Sequence, residues 1–367
     1  MFLGSAAGGN SVNFLSFRDL GAIRRPAAGP QVPAAPSAYR YYLGVRRRGL
    51  LRGKVLVPLL SRRAVLKTAA GGLAAASFGG ALLRPTAVSA QAGQRGTRDL
   101  GNGVHVLTLG ATNVVAITGS DGVALVDGAP AGQHKILADM LAALPNPGRV
   151  HTLFNSHWHP EQTGSNEVLA KAGATIVAQQ NTKLWLTTDV TWPWDKETVK
   201  PLAKEALPTK TFYSQAELDV GGRKVQCGHL RDCPHTDGDM YVFFPNDNVL
   251  CVGDAVYNAG WPNIDWWTGG WIGGQVGGID MLFSVANKDT RIVPARGPVL
   301  TQADLKSQYG MYSTIWERLL KTLYSGGGPD EAVAAKPTQE FEARMGPSEP
   351  FVRRAFQSLW AYLSPDA

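Results

Sequence analysis

Acidic residues are almost missing from the first 90 positions. Asp19 stands alone there against 13 Lys and Arg, a net charge of +12. Residues 91–367 carry −5, so the overall +7 belongs to the N-terminal segment and not to the body of the chain. The charge therefore gives no footing for nucleic-acid binding, and none is expected. Long apolar runs are lacking too. The stretch from Thr68 to Leu83 is short and rich in Gly and Ala, so no stable membrane span is expected. Cysteine is scarce: Cys227, Cys233 and Cys251 show neither a zinc-finger spacing nor a catalytic Cys–His arrangement. No methionine lies between Met1 and Met140, so a later start would need a non-standard codon, such as one at Val55 or Val57. Residues 91–367 contain no low-complexity segment and no clear short-period repeat.

The basic segment does contain an address. Ser61-Arg62-Arg63-Ala64-Val65-Leu66-Lys67 matches the twin-arginine export motif, the weakly apolar Thr68–Leu83 follows, and Val88-Ser89-Ala90 fits a small-residue cleavage site. The alternative is a basic linker with a short core helix. The export reading divides the chain into residues 1–90, an extension and signal peptide, and residues 91–367, the mature protein. It makes the twin-arginine export machinery a partner and the periplasm or the exterior the destination. That route carries folded proteins, often with a metal already in place. It also permits a Cys227–Cys233 disulfide, which a six-residue offset does not establish. Residues 1–55, rich in Arg, Gly, Ala and Pro, give no periodic run on which to build structure.

The mature part opens with β-like runs at 104–109, 113–118 and 123–127, separated by Gly-rich turns. A helical pattern covers about 133–144, ended by Pro145-Asn146-Pro147-Gly148. Further strands are expected at 151–154, 174–178, 224–227, 240–244 and 249–253, and helices at 166–172, 302–324 and 351–363. Strand blocks interrupted by helices suit a layered α/β body.

After the strand at 151–154 comes Asn155-Ser156-His157-Trp158-His159-Pro160-Glu161-Gln162-Thr163-Gly164. Extended backbone repeats every two residues, so His157 and His159 point the same way and can share one metal. Downstream stand Pro234-His235-Thr236-Asp237-Gly238-Asp239 and Val252-Gly253-Asp254-Ala255, and upstream Val126-Asp127-Gly128. In this order the four segments resemble the metallo-β-lactamase-fold hydrolases, whose signature is His-x-His-x-Asp-His. The resemblance covers most of 97–300. It implies an αββα sandwich with the site at one edge of two sheets. It also implies a metal held by His157, His159 and His235, with Asp254 as a fourth ligand or as the group that orients metal-bound water, and Asp127 as support for the histidine loop. Three imidazoles suit zinc with an open position, and they can also suit iron.

The signature departs at its end. Glu161-Gln162 replaces the usual Asp-His, and Pro294-Ala295-Arg296-Gly297-Pro298 has Arg296 where two-metal relatives have a final histidine. No histidine lies after His235. A permanent cation repels a second metal, so one ion is expected, with Arg296 pairing to Glu161, to Asp254 or to an anionic substrate group. Glu161 reads as general base or proton shuttle, or as a salt bridge that fills the altered site. Tryptophans cluster at Trp185, Trp192 and Trp194 and again at Trp261, Trp266, Trp267 and Trp271. Those at 261, 266 and 267 read as pocket walls for a partly apolar small molecule, or as core or interface residues. The expected activity is hydrolysis of an amide, lactam, lactone or ester by a metal-bound hydroxide. The alternatives are a mononuclear iron sulfur oxygenase and a non-catalytic binding protein.

Overall fold

Side-chain alternation along the strands decides the layering of residues 95–363, the part described by the computed structural model. The twin-arginine segment, its cleavage site and residues 1–55 lie outside the described residues. In chain order the first half comprises β1 (Arg95–Asp99), β2 (Val104–Leu109), β3 (Thr112–Gly119), β4 (Gly122–Val126), α1 (His134–Ala142) and β5 (Val150–Asn155). It continues through the one-turn α2 (Pro160–Thr163), α3 (Asn166–Lys171), β6 (Thr175–Gln179), α4 (Gln180–Trp185), the short pair β7 (Val190–Thr191) and β8 (Thr198–Val199), and β9 (Lys210–Phe212). Seven of these strands form one sheet in the order β1-β2-β3-β4-β5-β6-β9. Pairing is antiparallel as far as β4 and parallel from β4 to β9.

The second half supplies β10 (Gln215–Val220), β11 (Arg223–His229), β12 (Met240–Phe244), β13 (Val249–Gly253), α5 (Ile272–Phe283) and β14 (Arg291–Pro294). The helices α6 (Gln302–Tyr324), α7 (Pro329–Ala334), α8 (Glu342–Met345) and α9 (Glu349–Leu363) follow. The strands β10 to β14 form a five-stranded sheet in sequence order, antiparallel except for the parallel last pair.

Val115 and Ile117 of β3 face Val249 and Cys251 of β13 across an inter-sheet core. The alternate residues Val114 and Ala116 pack outward beneath Leu137 and Leu141 of α1. On the far side Leu250 and Val252 pack outward against α5, α6 and α9. The result is an αββα sandwich. Each fully buried aliphatic or aromatic side chain in these layers contributes about 1.5–3 kcal/mol. Among the described residues, no helix is long and apolar enough to cross a membrane.

The helix over 302–324 is found as α6. It opens on a capping box in which Thr301 N–H donates to Asp304 Oδ2 at 2.8 Å and Asp304 N–H to Thr301 Oγ1 at 3.3 Å. Helix α5 has no counterpart in the sequence reading. Gly273, Gly274, Gly277 and Gly278 give it poor helix propensity. Packing explains them: a Cβ on Gly274 would stand 2.2 Å from the Asp232 carbonyl oxygen and 2.3 Å from that of Cys233. The helix is thus pressed onto the segment that leads to His235. Strands β1, β7, β8, β9, β10 and β14 are likewise absent from the sequence expectations, being short or polar on the exposed side. Cys227 is a free thiol between the sheets, pushed up to about 12 by burial, so no bridge joins it to Cys233. Cys251 is likewise free and buried.

Candidate metal centre

The loop after β5 carries His157 and His159, and it is held from beneath. Asp127, just past β4, takes a left-handed backbone conformation at φ 65°. From there its carboxylate accepts Ser156 N–H at 2.8 Å and Ser156 Oγ–H at 2.9 Å. Burial raises this carboxyl to about 7 against those bonds. Asn155 and Asn166 exchange amide hydrogen bonds at 3.0 and 2.9 Å, tying the loop to α3. His159 then caps α2, with Pro160 at its first position. The other sheet supplies His235 from the β11–β12 loop. That loop is fastened by Asp239, which accepts the N–H groups of His235 at 2.7 Å and Thr236 at 2.9 Å. Asp254 follows β13, and Arg296 follows β14.

All three histidines are buried, and one ring nitrogen from each lies within 4.8 Å of the others. Ring centroids are 4.6–4.8 Å apart. The outer nitrogens determine what the inner ones offer. His159 Nε2 faces Asp265 Oδ2 at 2.9 Å, and His235 Nδ1 faces the Asn263 carbonyl at 2.5 Å. Both partners only accept, so both outer nitrogens carry the proton. His157 Nδ1 lies 3.1 Å from Ser156 Oγ, whose own hydroxyl is directed to Asp127. The inner atoms are therefore lone pairs: His159 Nδ1 and His235 Nε2 stand 3.0 Å apart, and His157 Nε2 is buried with no hydrogen-bond partner. Converging lone pairs repel one another unless a cation lies between them, so this donor set fits a divalent metal. Burial, followed by the neighbouring imidazoles and Arg296, depresses the His157 pKa well below its ordinary value and keeps that ring neutral. For His159, burial works against the charged form, but the hydrogen bond and charge of Asp265 prevail and raise it.

Asp254 Oδ2 lies 3.7 Å from His157 Nε2 and 3.9 Å from His235 Nε2. Arg296 reaches Asp254 through Nε at 3.3 Å and Glu161 through Nη2 at 3.4 Å. Asp254, opposed by burial, raises the guanidinium pKa, with Glu161 adding to the effect. Gln162 donates its amide to Asp254 at 3.5 Å, while its Oε1 is buried and unpaired. The departures from the family signature thus meet in one place.

The tryptophan loop does something the sequence did not reveal. Asp265 accepts from His159, from Trp192 Nε1 at 3.0 Å and from Thr268 Oγ1 at 2.6 Å. Despite burial, these bonds and the His159 charge hold its carboxyl below the usual range. With Asn263 on His235, residues 263–268 brace two of the three imidazoles. Asp265 lies outside every motif in the sequence that carries the resemblance. A backbone carbonyl such as that of Asn263 has no sequence signature at all. Trp261 takes the core alternative: it stacks on Phe351 at 4.6 Å and donates to the Gly346 carbonyl. Trp266 lies between Trp194 and Trp267, at 5.5 and 5.9 Å, and Trp267 is 45% exposed. Trp192 stacks on Trp158 and meets the edge of His159.

A four-layer sandwich whose paired sheets bring three imidazole lone pairs together at one edge defines a class of metal-binding protein. The chain belongs to the metallo-beta-lactamase superfamily, which matches residues 107–323. Among solved structures it is similar to a metallo-beta-lactamase from Pontibacter korlensis, at 17% identity and a TM-score of 0.49, covering 60% of this chain and 99% of that one. It is also similar to the DIM-1 metallo-beta-lactamase, at 14% identity, TM-score 0.48 and coverage of 60% and 98%. The IND-7 metallo-beta-lactamase gives 19%, 0.48, and coverage of 61% and 100%. No curated protein matches the chain.

Proposed function

We propose that the chain is an exported metal-dependent hydrolase acting on an amide, lactam, lactone or ester bond of a partly apolar small molecule. Membership of the superfamily supports a metal-dependent hydrolase, and the His157, His159 and His235 group could hold the metal. The observation that carries the reading is the convergence of three imidazoles whose outer nitrogens are all fixed by acceptors. A divalent cation held there, zinc in this reading, would supply Lewis acidity and lower the pKa of a water to ~7. Asp254, 3.7 Å from His157 and 3.9 Å from His235, would be a fourth ligand or would orient the attacking water. Glu161, 43% exposed, carries protons between the site and bulk water. Tyr257 stays a neutral donor near Arg296, because burial raises its phenol against the pull of that cation. Trp267 offers an exposed ring to the apolar part of the substrate.

The site takes one ion. In place of a second cation it has Arg296, already compensated by Asp254 and Glu161, and Gln162 provides only a neutral oxygen. Elemental analysis of gently purified protein, combined with an ester, lactone and lactam panel, tests the whole reading. One equivalent of zinc with turnover is the expected result. Two equivalents, both needed for turnover, would overturn the single-ion assignment. Iron together with oxygen uptake on a persulfide would replace hydrolase by oxygenase. Full zinc loading with no turnover would leave a binding protein.

A further inference from the structure

We propose that Arg296 is the seat of an anionic substrate group, and that Glu161 occupies this seat until the substrate arrives. The inference deepens the hydrolase reading by naming a substrate class, a small molecule with a carboxylate or similar oxyanion beside the scissile bond. It rests on that reading only for the position of the bond.

The two carboxylates on Arg296 are not equivalent. Asp254 is 6% exposed, pairs with Nε at 3.3 Å and is also within reach of the Gln162 amide. Its burial between Arg296, Gln162 and the histidines keeps it in place. Glu161 sits in the first turn of α2, is 43% exposed and makes one contact with the guanidinium, at 3.4 Å. Charge-assisted hydrogen bonds ordinarily measure about 2.7–2.9 Å, so this contact is loose. An exposed pair of this kind shifts an equilibrium by roughly fivefold at most. The guanidinium is a planar fork suited to two-point contact with an oxyanion, and one nitrogen–oxygen contact at 3.4 Å does not use it fully. An incoming oxyanion therefore replaces Glu161 and leaves Asp254 in place. The charge balance is preserved, since one anion is exchanged for another. The exchange also releases Glu161 to solvent at the moment a proton carrier is needed.

The test is calorimetric titration of the purified protein with its metal, using benzoate as probe and neutral benzamide as control. Elemental analysis confirms equal metal loading of the variants. Benzoate should bind and benzamide should not, with affinity falling as salt rises. Glu161→Gln, which removes the rival charge, should tighten benzoate by up to roughly fivefold. Arg296→Met should abolish the heat, and Arg296→Lys, which keeps the charge without the fork, should weaken it. Unchanged or weaker binding in Glu161→Gln overturns the proposal, as does benzoate binding that survives in Arg296→Met or equal binding of benzamide. Failure of every substrate in the hydrolysis panel while these titrations behave as expected would sink the hydrolase reading and leave the anion seat standing.

Discussion

Replacing Asp265 by Asn separates bracing of the metal site from bracing of the fold. One carboxylate oxygen accepts three donors, from His159 at 2.9 Å, Trp192 at 3.0 Å and Thr268 at 2.6 Å, and the other accepts Thr268 N–H at 3.2 Å. An amide oxygen in the first position keeps all three side-chain bonds but loses the charge. Bonds to a charged acceptor are worth about 1 kcal/mol more than neutral ones, so the loss is roughly 3 kcal/mol at most. The amide nitrogen then opposes the Thr268 N–H, which adds a further cost. A separate effect is expected on the metal. An outer partner of a ligating histidine is worth about 10–100-fold in affinity, or ~1.4–2.7 kcal/mol. His159 keeps its tautomer but loses the anion that raises the basicity of its Nδ1 lone pair. The assay is zinc competition against a chromophoric chelator, run beside thermal unfolding of the metal-free forms. A zinc affinity within threefold of the parent, whatever the loss of stability, would show that Asp265 braces the loop and not the ligand.

Chelation should lower the melting temperature and zinc should restore it. At a hundredfold excess over Kd the gain is about 2.7 kcal/mol, or roughly 5–10 °C for a body of this size. His235→Ala should show no such gain, and a parent protein indifferent to saturating zinc would refute the site. Gly274→Ala would place a Cβ 2.2 Å from the Asp232 carbonyl oxygen and must displace either α5 or the segment leading to His235. A loss of about 1–3 kcal/mol in urea unfolding together with weaker zinc binding is expected, and unchanged zinc binding would show that the segment does not transmit the shift. Thr301→Ala removes the cap of α6 and should lower stability by about 1 kcal/mol without altering zinc affinity. A fall in zinc affinity would mean that α6 is coupled to the site.

The fold and half of the site could be read in advance because their signals are local. A period of two in β3 and β13 assigns faces without knowledge of partners, whereas His157 and His159, expected on extended backbone, converge from a bent loop after β5. The meeting of Glu161, Gln162, Asp254 and Arg296 was legible as departures from a known order of motifs. Helix α5 was not legible, because its glycines contradict helix propensity, and Gly274, Gly277 and Gly278 make sense only against the Asp232–Pro234 segment. The bracing role of 263–268 was hidden for another reason. Asp265 meets His159 across 106 positions, and Asn263 acts through its carbonyl. The aromatic residues around it drew attention to substrate, whereas Trp192 and Trp261 spend their indole N–H groups on Asp265 and on the Gly346 carbonyl.

The three histidines come from opposite sheets, with His157 and His159 after β5 of the first and His235 after β11 of the second. A metal held by them would work as a rivet through both plates of the sandwich. Its affinity then measures how well the plates are docked, so any substitution in the inter-sheet core that lets them slide by a fraction of an ångström will register as altered metal retention before it registers as unfolding. Metal release is therefore a gauge of inter-sheet fit, usable on variants whose melting curves look alike.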